Sequence, residues 1–267
     1  MKERKLAFEI SDGRIHTRSL EVHIVDHCNL RCAECCSLSP LLPERYVKPE
    51  DMQKDLALAT AVLAPDYIKL VGGEPLLHPD ILECLRVAKP MAKTLSVTTN
   101  AILLERMSDE FWQLVDALTI SIYPSLKLDK VMQHVYRKAE AFNVILNIKK
   151  QDTFVKMTHW DAVTDEQETK AIFSSCWLRE RCHIVDRGRF YLCTRPPHFH
   201  TFYDGKKAFL QDGVELHNKP SLLHEIYQYL TRTKPLDSCS RCTGGTGEEQ
   251  PHIMMTKNEI IQRLELK

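Results

Sequence analysis

The sequence predicts an α/β fold, an open, partial (β/α)6 TIM-like barrel with a small cysteine-rich C-terminal extension. Three observations lead there. Short runs rich in Val, Ile and Leu alternate regularly with helical patterns, the signature of a parallel sheet with helices outside it. The alternation lasts roughly 140 residues against ~250 for a complete eight-unit barrel, so the sheet should stay open at about six units. All but Cys84 of the 10 cysteines fall into two groups, one near each end of the chain.

Strands are expected at residues 21–25, 67–71, 94–98, 117–122 and 143–148, and their apolar content reads as burial on both faces. Pro49-Glu50-Asp51 places proline and acids at the opening of a helix that runs to about Val62. Pro79-Asp80 opens a second, reaching about Lys89. Ser108-Asp109-Glu110 has the form of a cap and acidic first turn before Phe111, and residues 126–141 read as the next helix. Beyond about Asp161 the pattern gives way to cysteine-bearing loops. The expected division is therefore a barrel core over 1–160 and an extension over 161–267.

Composition excludes several classes of function. Lys+Arg and Asp+Glu both number 36, so no global basic field draws the chain to nucleic acid or an anionic membrane. No run approaches ~18 consecutive apolar residues, which predicts no membrane span. The charged N-terminal residues are unlike a signal peptide. Cysteines without an export signal point to reduced thiols in the cytoplasm, available as metal ligands.

Cys28-Asn29-Leu30-Arg31-Cys32-Ala33-Glu34-Cys35 has the spacing C-x3-C-x2-C and follows directly on the first predicted strand. Three thiolates are one too few for a closed structural zinc site. They suit a 4Fe–4S cluster with one iron left open. Gly72-Gly73-Glu74-Pro75 follows the second predicted strand, Thr98-Thr99-Asn100 ends the third, and Ser121 lies on the fourth.

These residues resemble the motifs of the radical S-adenosylmethionine (radical SAM) superfamily. The resemblance implies that Cys28, Cys32 and Cys35 anchor a 4Fe–4S cluster whose open iron binds S-adenosylmethionine (AdoMet), cleaved on reduction to a 5′-deoxyadenosyl radical. It also implies that Gly72, Gly73, Glu74 and Pro75 meet the AdoMet amino group, glycine allowing close backbone approach. Thr98, Thr99, Asn100 and Ser121 stand where the family contacts AdoMet carboxylate and ribose. One departure is Glu34, since the family commonly has an aromatic residue before the third cysteine. Cys36 reads as a bystander and Cys84 as a core thiol.

The second group, Cys176, Cys182, Cys193, Cys239 and Cys242, contains the pattern C-x11-G-x4-C through Gly188, followed by C-x2-C. It resembles the auxiliary-cluster extensions called SPASM domains and their shortened twitch form, and is similar to the spacing in twitch-type aminocyclitol dehydrogenases. That resemblance implies a second 4Fe–4S cluster on Cys176, Cys193, Cys239 and Cys242, with Cys182 as the reserve ligand. The same pairs would also serve a zinc ribbon. His23, His27, His198 and His200 read as packed or surface histidines before catalytic ones. Lys149, Lys150, Arg187 and Arg195 read mostly as solvated charge with some capacity for an anionic substrate group. Tyr123 and Trp160 read as cavity lining or packing.

The expected function is a radical SAM oxidoreductase of dehydrogenase type. It would take hydrogen from a small hydroxylated substrate, a sugar or aminocyclitol, and pass an electron to the auxiliary cluster. An external donor such as flavodoxin or ferredoxin would supply reducing electrons. The rivals are an epimerase or dehydratase with the same machinery, a modifier of ribosomal peptides, and a non-enzymatic iron–sulfur or zinc scaffold.

Overall fold

A computed structural model describes residues 7–158, 161–199, 201–202 and 207–263. Trp160 and His200, both singled out above, lie outside the described residues. β1 (Ile10–Ser11) turns through Asp12 and Gly13 into the long β2 (Arg14–Val25). Both turn residues have positive φ, 50° and 71°, as a two-residue hairpin loop requires. α1 (Pro49–Val62) follows, with proline in its first turn and Glu50 and Asp51 beside it, favourable to the helix dipole. β3 (Leu63–Gly72), α2 (Ile81–Ala88), β4 (Leu95–Thr99), α3 (Asp109–Leu114), β5 (Ala117–Ile122), α4 (Asp129–Phe142) and β6 (Ile145–Lys150) complete the alternation. α4 ends at Asn143, whose φ of 56° is the left-handed conformation that closes many helices.

β2 to β6 pair in parallel, in that order. After β7 (Thr153–Val155) and α5 (Glu166–Ser175), β8 (His183–Asp186) adds a sixth parallel strand on the other side of β2. The antiparallel β9 (Arg189–Tyr191) and β10 (Val214–Glu215) extend that edge. The sheet therefore runs from β10 to β6 and does not close. α6 (Arg195–Phe199) and α7 (Leu222–Leu230) follow β9 and β10, and α7 lies against β2. β11 (Glu249–Pro251) pairs antiparallel with β7, and α8 (Lys257–Arg263) ends the described chain.

Both faces of the central strands are largely buried, as expected, with Ser19, His23, Ser96 and Thr119 buried on one of them, yet only the other face is apolar. Leu20, Val22, Ile24, Ile68, Leu70, Leu95, Val97, Leu118 and Ile120 are all buried against the helices, with Met52, Leu56, Leu85, Phe111 and Trp112 opposite them. Each such side chain contributes ~1.5–3 kcal/mol by leaving water. Their neighbours in sequence point the other way, as strand geometry dictates. Register puts Glu21 beside Lys69, Lys69 beside Ser96, Thr98 beside Thr119, Thr119 beside Asn147 and Ser121 beside Lys149. The concave face is thus polar and charged. A second small core, including Leu38, Leu41, Met157, Phe199, Cys242 and Ile260, joins the first cysteine loop to the C-terminal segment. Cys84 is fully buried, as a core thiol should be.

Candidate active site

β2 runs directly into the C-x3-C-x2-C loop, at the C-terminal edge of the sheet where parallel α/β folds place their chemistry. Inside the loop the Leu30 amide donates to Cys28 Sγ at 3.4 Å. Asn100 Nδ2, from the end of β4, lies 3.9 Å from the same sulfur and donates to Asn29 Oδ1 at 2.7 Å. Burial pushes the Cys28 thiol up to about 12 and raises that of Cys32 as well, with negative charge on Cys35 disfavouring ionisation of both. The three thiols therefore lie within electrostatic reach of one another, and metal binding there would release protons.

The Gly72–Pro75 turn fits against this loop. The Gly73 amide donates to the Val25 carbonyl at 2.8 Å and the Glu74 amide to that of His27 at 3.1 Å. A Cβ on Gly72 would collide with the Val25 carbonyl oxygen, and one on Gly73 with that of His27. Both glycines are thus required by the approach of the cysteine loop's own backbone, a reason the sequence did not disclose. Glu74 is also occupied within the protein. Its carboxylate, 1% exposed, accepts from the Thr99 hydroxyl at 2.7 Å, the Asn100 amide at 2.9 Å and the Leu76 amide at 3.1 Å. Burial raises its pKa to about 7, the three hydrogen bonds opposing. Thr98 is partly exposed and Ser121 buried, both on the concave face.

The C-terminal segment lies across the first loop. Ala33 donates to the Ile253 carbonyl and Met255 to that of Arg31, both at 3.0 Å, and Cys32 and Met254 form an isolated β-bridge. His252 Nε2 stands 3.2 Å from Cys32 Sγ, with its ring stacked on Tyr123 at 4.8 Å between centroids. Glu34, the departure from the family pattern, is ion-paired with Arg263 at 2.8 Å. Sequence reasoning missed His252 and Arg263, because no local spacing signals a contact across more than 200 positions.

Four cysteines of the second group come together. Cys176 at the end of α5, Cys193 after β9, and Cys239 and Cys242 line one apolar cavity with Ile172, Leu192 and Leu236. Burial raises the pKa of Cys176, Cys193 and Cys239, and the charges of these thiols and Cys242 act on one another. Cys182 does not line that cavity. Burial raises its pKa too, followed by the charges of Glu21 and Cys36.

A cluster of charged groups lies within electrostatic reach of thiols from both cysteine groups. Glu21 stands 3.8 Å from Lys69, and its side chain is 15% exposed. Burial raises its pKa to about 7 against the pull of Lys69 and Lys149. Cys36 opens onto solvent, yet protein encloses it enough that burial and the nearby Cys35 push its thiol up to about 11. Arg195, expected among the solvated charges, is instead buried, its guanidinium within reach of Cys242 and Cys193 on one side and Cys36 and Cys35 on the other. Nearby, His23 and His198 pack at 4.2 Å between ring centroids, and burial holds His23 down at about 4. Asp26 beside them is gripped by Arg45 at 2.6 and 2.9 Å. His23 and His198 are thus packed residues, as expected.

Among the described residues no helix is long and apolar enough to cross a membrane. Among solved structures, the fold is similar to that of BtrN in complex with AdoMet and 2-DOIA, with a TM-score of 0.50 at 15% identity over 84% of each chain. Among curated proteins, the probable GTP 3′,8-cyclase of Pyrococcus abyssi is 31% identical over 128 residues, 48% of this chain and 40% of that one. The GTP 3′,8-cyclase of Microcystis aeruginosa is 34% identical over 106 residues, 35% of this chain and 30% of that one. The chain thus spans less than half the length of these curated relatives. The family model described as the radical SAM superfamily matches residues 22–167, a stretch that takes in the first cysteine loop, the Gly72–Pro75 turn and β3 to β6. By that match, over more than half its length, the chain belongs to the radical SAM superfamily.

Proposed function

We propose that this radical SAM enzyme oxidises a carbinol carbon of a small hydroxylated substrate, a sugar or aminocyclitol, to a carbonyl. Cys28, Cys32 and Cys35 would hold the AdoMet-binding 4Fe–4S cluster, and Cys176, Cys193, Cys239 and Cys242 a second one. Bound there, the first cluster and AdoMet supply the one-electron chemistry that removes hydrogen from carbon, and the second supplies an electron acceptor. The observation that carries the reading is that Glu21 and Arg195 each lie within electrostatic reach of thiols from both cysteine groups. The chain's own part is to orient the substrate, exclude water and take up the hydroxyl proton. Glu21, with a pKa of about 7 and a place beside Lys69 on the polar face of the sheet, is suited to accept that proton. Lys69 and Lys149 balance its charge and can bind substrate oxygens.

Oxidation balances as loss of a hydrogen atom, a proton and an electron from the substrate. The test is incubation of the reduced, reconstituted chain with AdoMet and candidate polyols and aminocyclitols, followed by mass spectrometry. A product lighter by two hydrogens, formed in step with 5′-deoxyadenosine, is expected. A product isomeric with its substrate would replace oxidation with epimerisation.

A second reading takes a purine nucleoside triphosphate as substrate and cyclises it, after the curated relatives' name. Lys69 and Lys149 would serve a triphosphate there. GTP in the same assay separates the two readings.

A further inference from the structure

We propose that His252 tunes the first cluster by donating a hydrogen bond from its Nε2–H to Sγ of Cys32, raising the cluster's reduction potential. The inference rests on the assignment of Cys32 as a cluster ligand in the preceding section. It concerns a residue 220 positions away that belongs to none of the family motifs.

The geometry is specific. Nε2 lies 3.2 Å from the sulfur, a short separation for nitrogen and sulfur. The backbone on either side is fixed. The His252 amide donates to the Asp152 carbonyl at 2.8 Å, and Ile253 and Met255 bond to Ala33 and Arg31, the residues flanking Cys32. The ring plane is fixed as well, by Tyr123 at 4.8 Å and 30° and by Phe154 at 5.2 Å and 38°. His252 therefore cannot swing away without breaking the stack. Nδ1 is buried and makes no hydrogen bond. A bare Nε2 lone pair would repel a thiolate, so the ring proton belongs on Nε2, facing the sulfur.

Reduction adds negative charge to a cluster and to its thiolate sulfurs. A donor aimed at one sulfur stabilises the reduced form more than the oxidised form, which moves the potential upward. The corresponding donors at Cys28 are the Leu30 amide and Asn100, so His252 gives Cys32 a counterpart from the far end of the chain.

The test is an EPR-monitored redox titration of the full chain, loaded with iron and sulfide, following the signal that changes when AdoMet is added. His252→Phe keeps an aromatic ring for the stack and removes the donor. It should make reduction about tenfold less favourable, a fall of about 59 mV for a one-electron couple. His252→Gln keeps an N–H donor and should fall by less than half as much. An unshifted Phe variant with normal iron content overturns the proposal, as does a Gln variant shifted as far as Phe. If the Phe variant does not load, the unmodified chain with 15N-labelled histidine decides by pulsed EPR. A weak 15N coupling to the AdoMet-responsive cluster supports the hydrogen bond, and its absence overturns it. Failure of the unmodified chain to give any AdoMet-responsive signal would bring down the ligand assignment itself, and this proposal with it.

Discussion

Arg195 donates from Nη1 to the carbonyl oxygen of Cys36, so a buried guanidinium at the start of α6 touches the backbone of the first cysteine loop. Its Nε and Nη2 have no hydrogen-bond partner. An unpaired charge in the interior is costly, and the surrounding thiols of Cys242, Cys193, Cys36 and Cys35 are the groups whose negative charge would compensate it. One side chain thus connects the two metal-binding regions proposed above.

Seven thiols in two sets should bind about eight irons and eight sulfides per chain after anaerobic reconstitution. Changing Cys239 and Cys242 together to Ala should halve that count and leave AdoMet cleavage in place, while oxidised product falls to a trace. Full conversion to a ketone in this variant, with its fold verified by circular dichroism, would remove the electron-acceptor role. Stoichiometric zinc in the unmodified chain would replace the second cluster with a structural metal.

Changing Cys28, Cys32 and Cys35 together to Ala should abolish 5′-deoxyadenosine formation and spare about four irons held by the second group. The assay is chromatography of the reduced reaction mixture. Cleavage that persists would show that the open site is elsewhere.

Glu21 sets a pH limb. Burial raises its pKa from 4.5 to about 7, so it becomes a competent base only as pH climbs through about 7. Turnover should rise across that interval, and Glu21→Gln should lose both the limb and ~10²-fold or more in rate. Linkage to stability has the opposite sign. The folded state holds the proton that the unfolded state gives up between 4.5 and about 7, so the charge on Glu21 lowers stability as pH rises through that window. Urea melts of the apo chain at several pH values, with and without the substitution, measure the difference. Identical pH slopes would show that Glu21 titrates normally.

Glu74→Ala would leave the Thr99 hydroxyl and the Asn100 and Leu76 amides without an acceptor. Each buried, unpaired donor costs ~1–3 kcal/mol, so the melting temperature should fall by several degrees. AdoMet affinity should fall as well, since the ends of β3 and β4 lose their common anchor. A variant with an unchanged melting curve would show that water replaces the carboxylate without cost.

The sheet was legible because apolar alternation is a local signal. Residues 117–122 form β5 as expected, and Pro49 opens α1, which ends at Val62. The polarity of the concave face was missed because Glu21 and Lys69 are single charges inside apolar runs, and only their register reveals that they face each other. β8 and β9 went unseen because strands of four and three residues offer too short a pattern. The resemblance to twitch-type extensions pointed to Cys176, Cys193, Cys239 and Cys242, which line one cavity, and the geometry leaves Cys182 outside it. His252 and Arg263 left no trace in the sequence, because their partners lie 220 and 229 positions away.

That last pairing sets an order of events in the cell. Chains emerge from the ribosome N-terminus first, so Cys28, Cys32 and Cys35 are exposed to solvent long before residues 252–263 exist to lie across them. Iron delivered to the nascent loop would meet a cradle lacking one wall, open to oxygen and to competing metals. If these thiols hold the first cluster as proposed, its maturation belongs after residues 252–263 have been made, when that segment has docked and Arg263 has closed on Glu34.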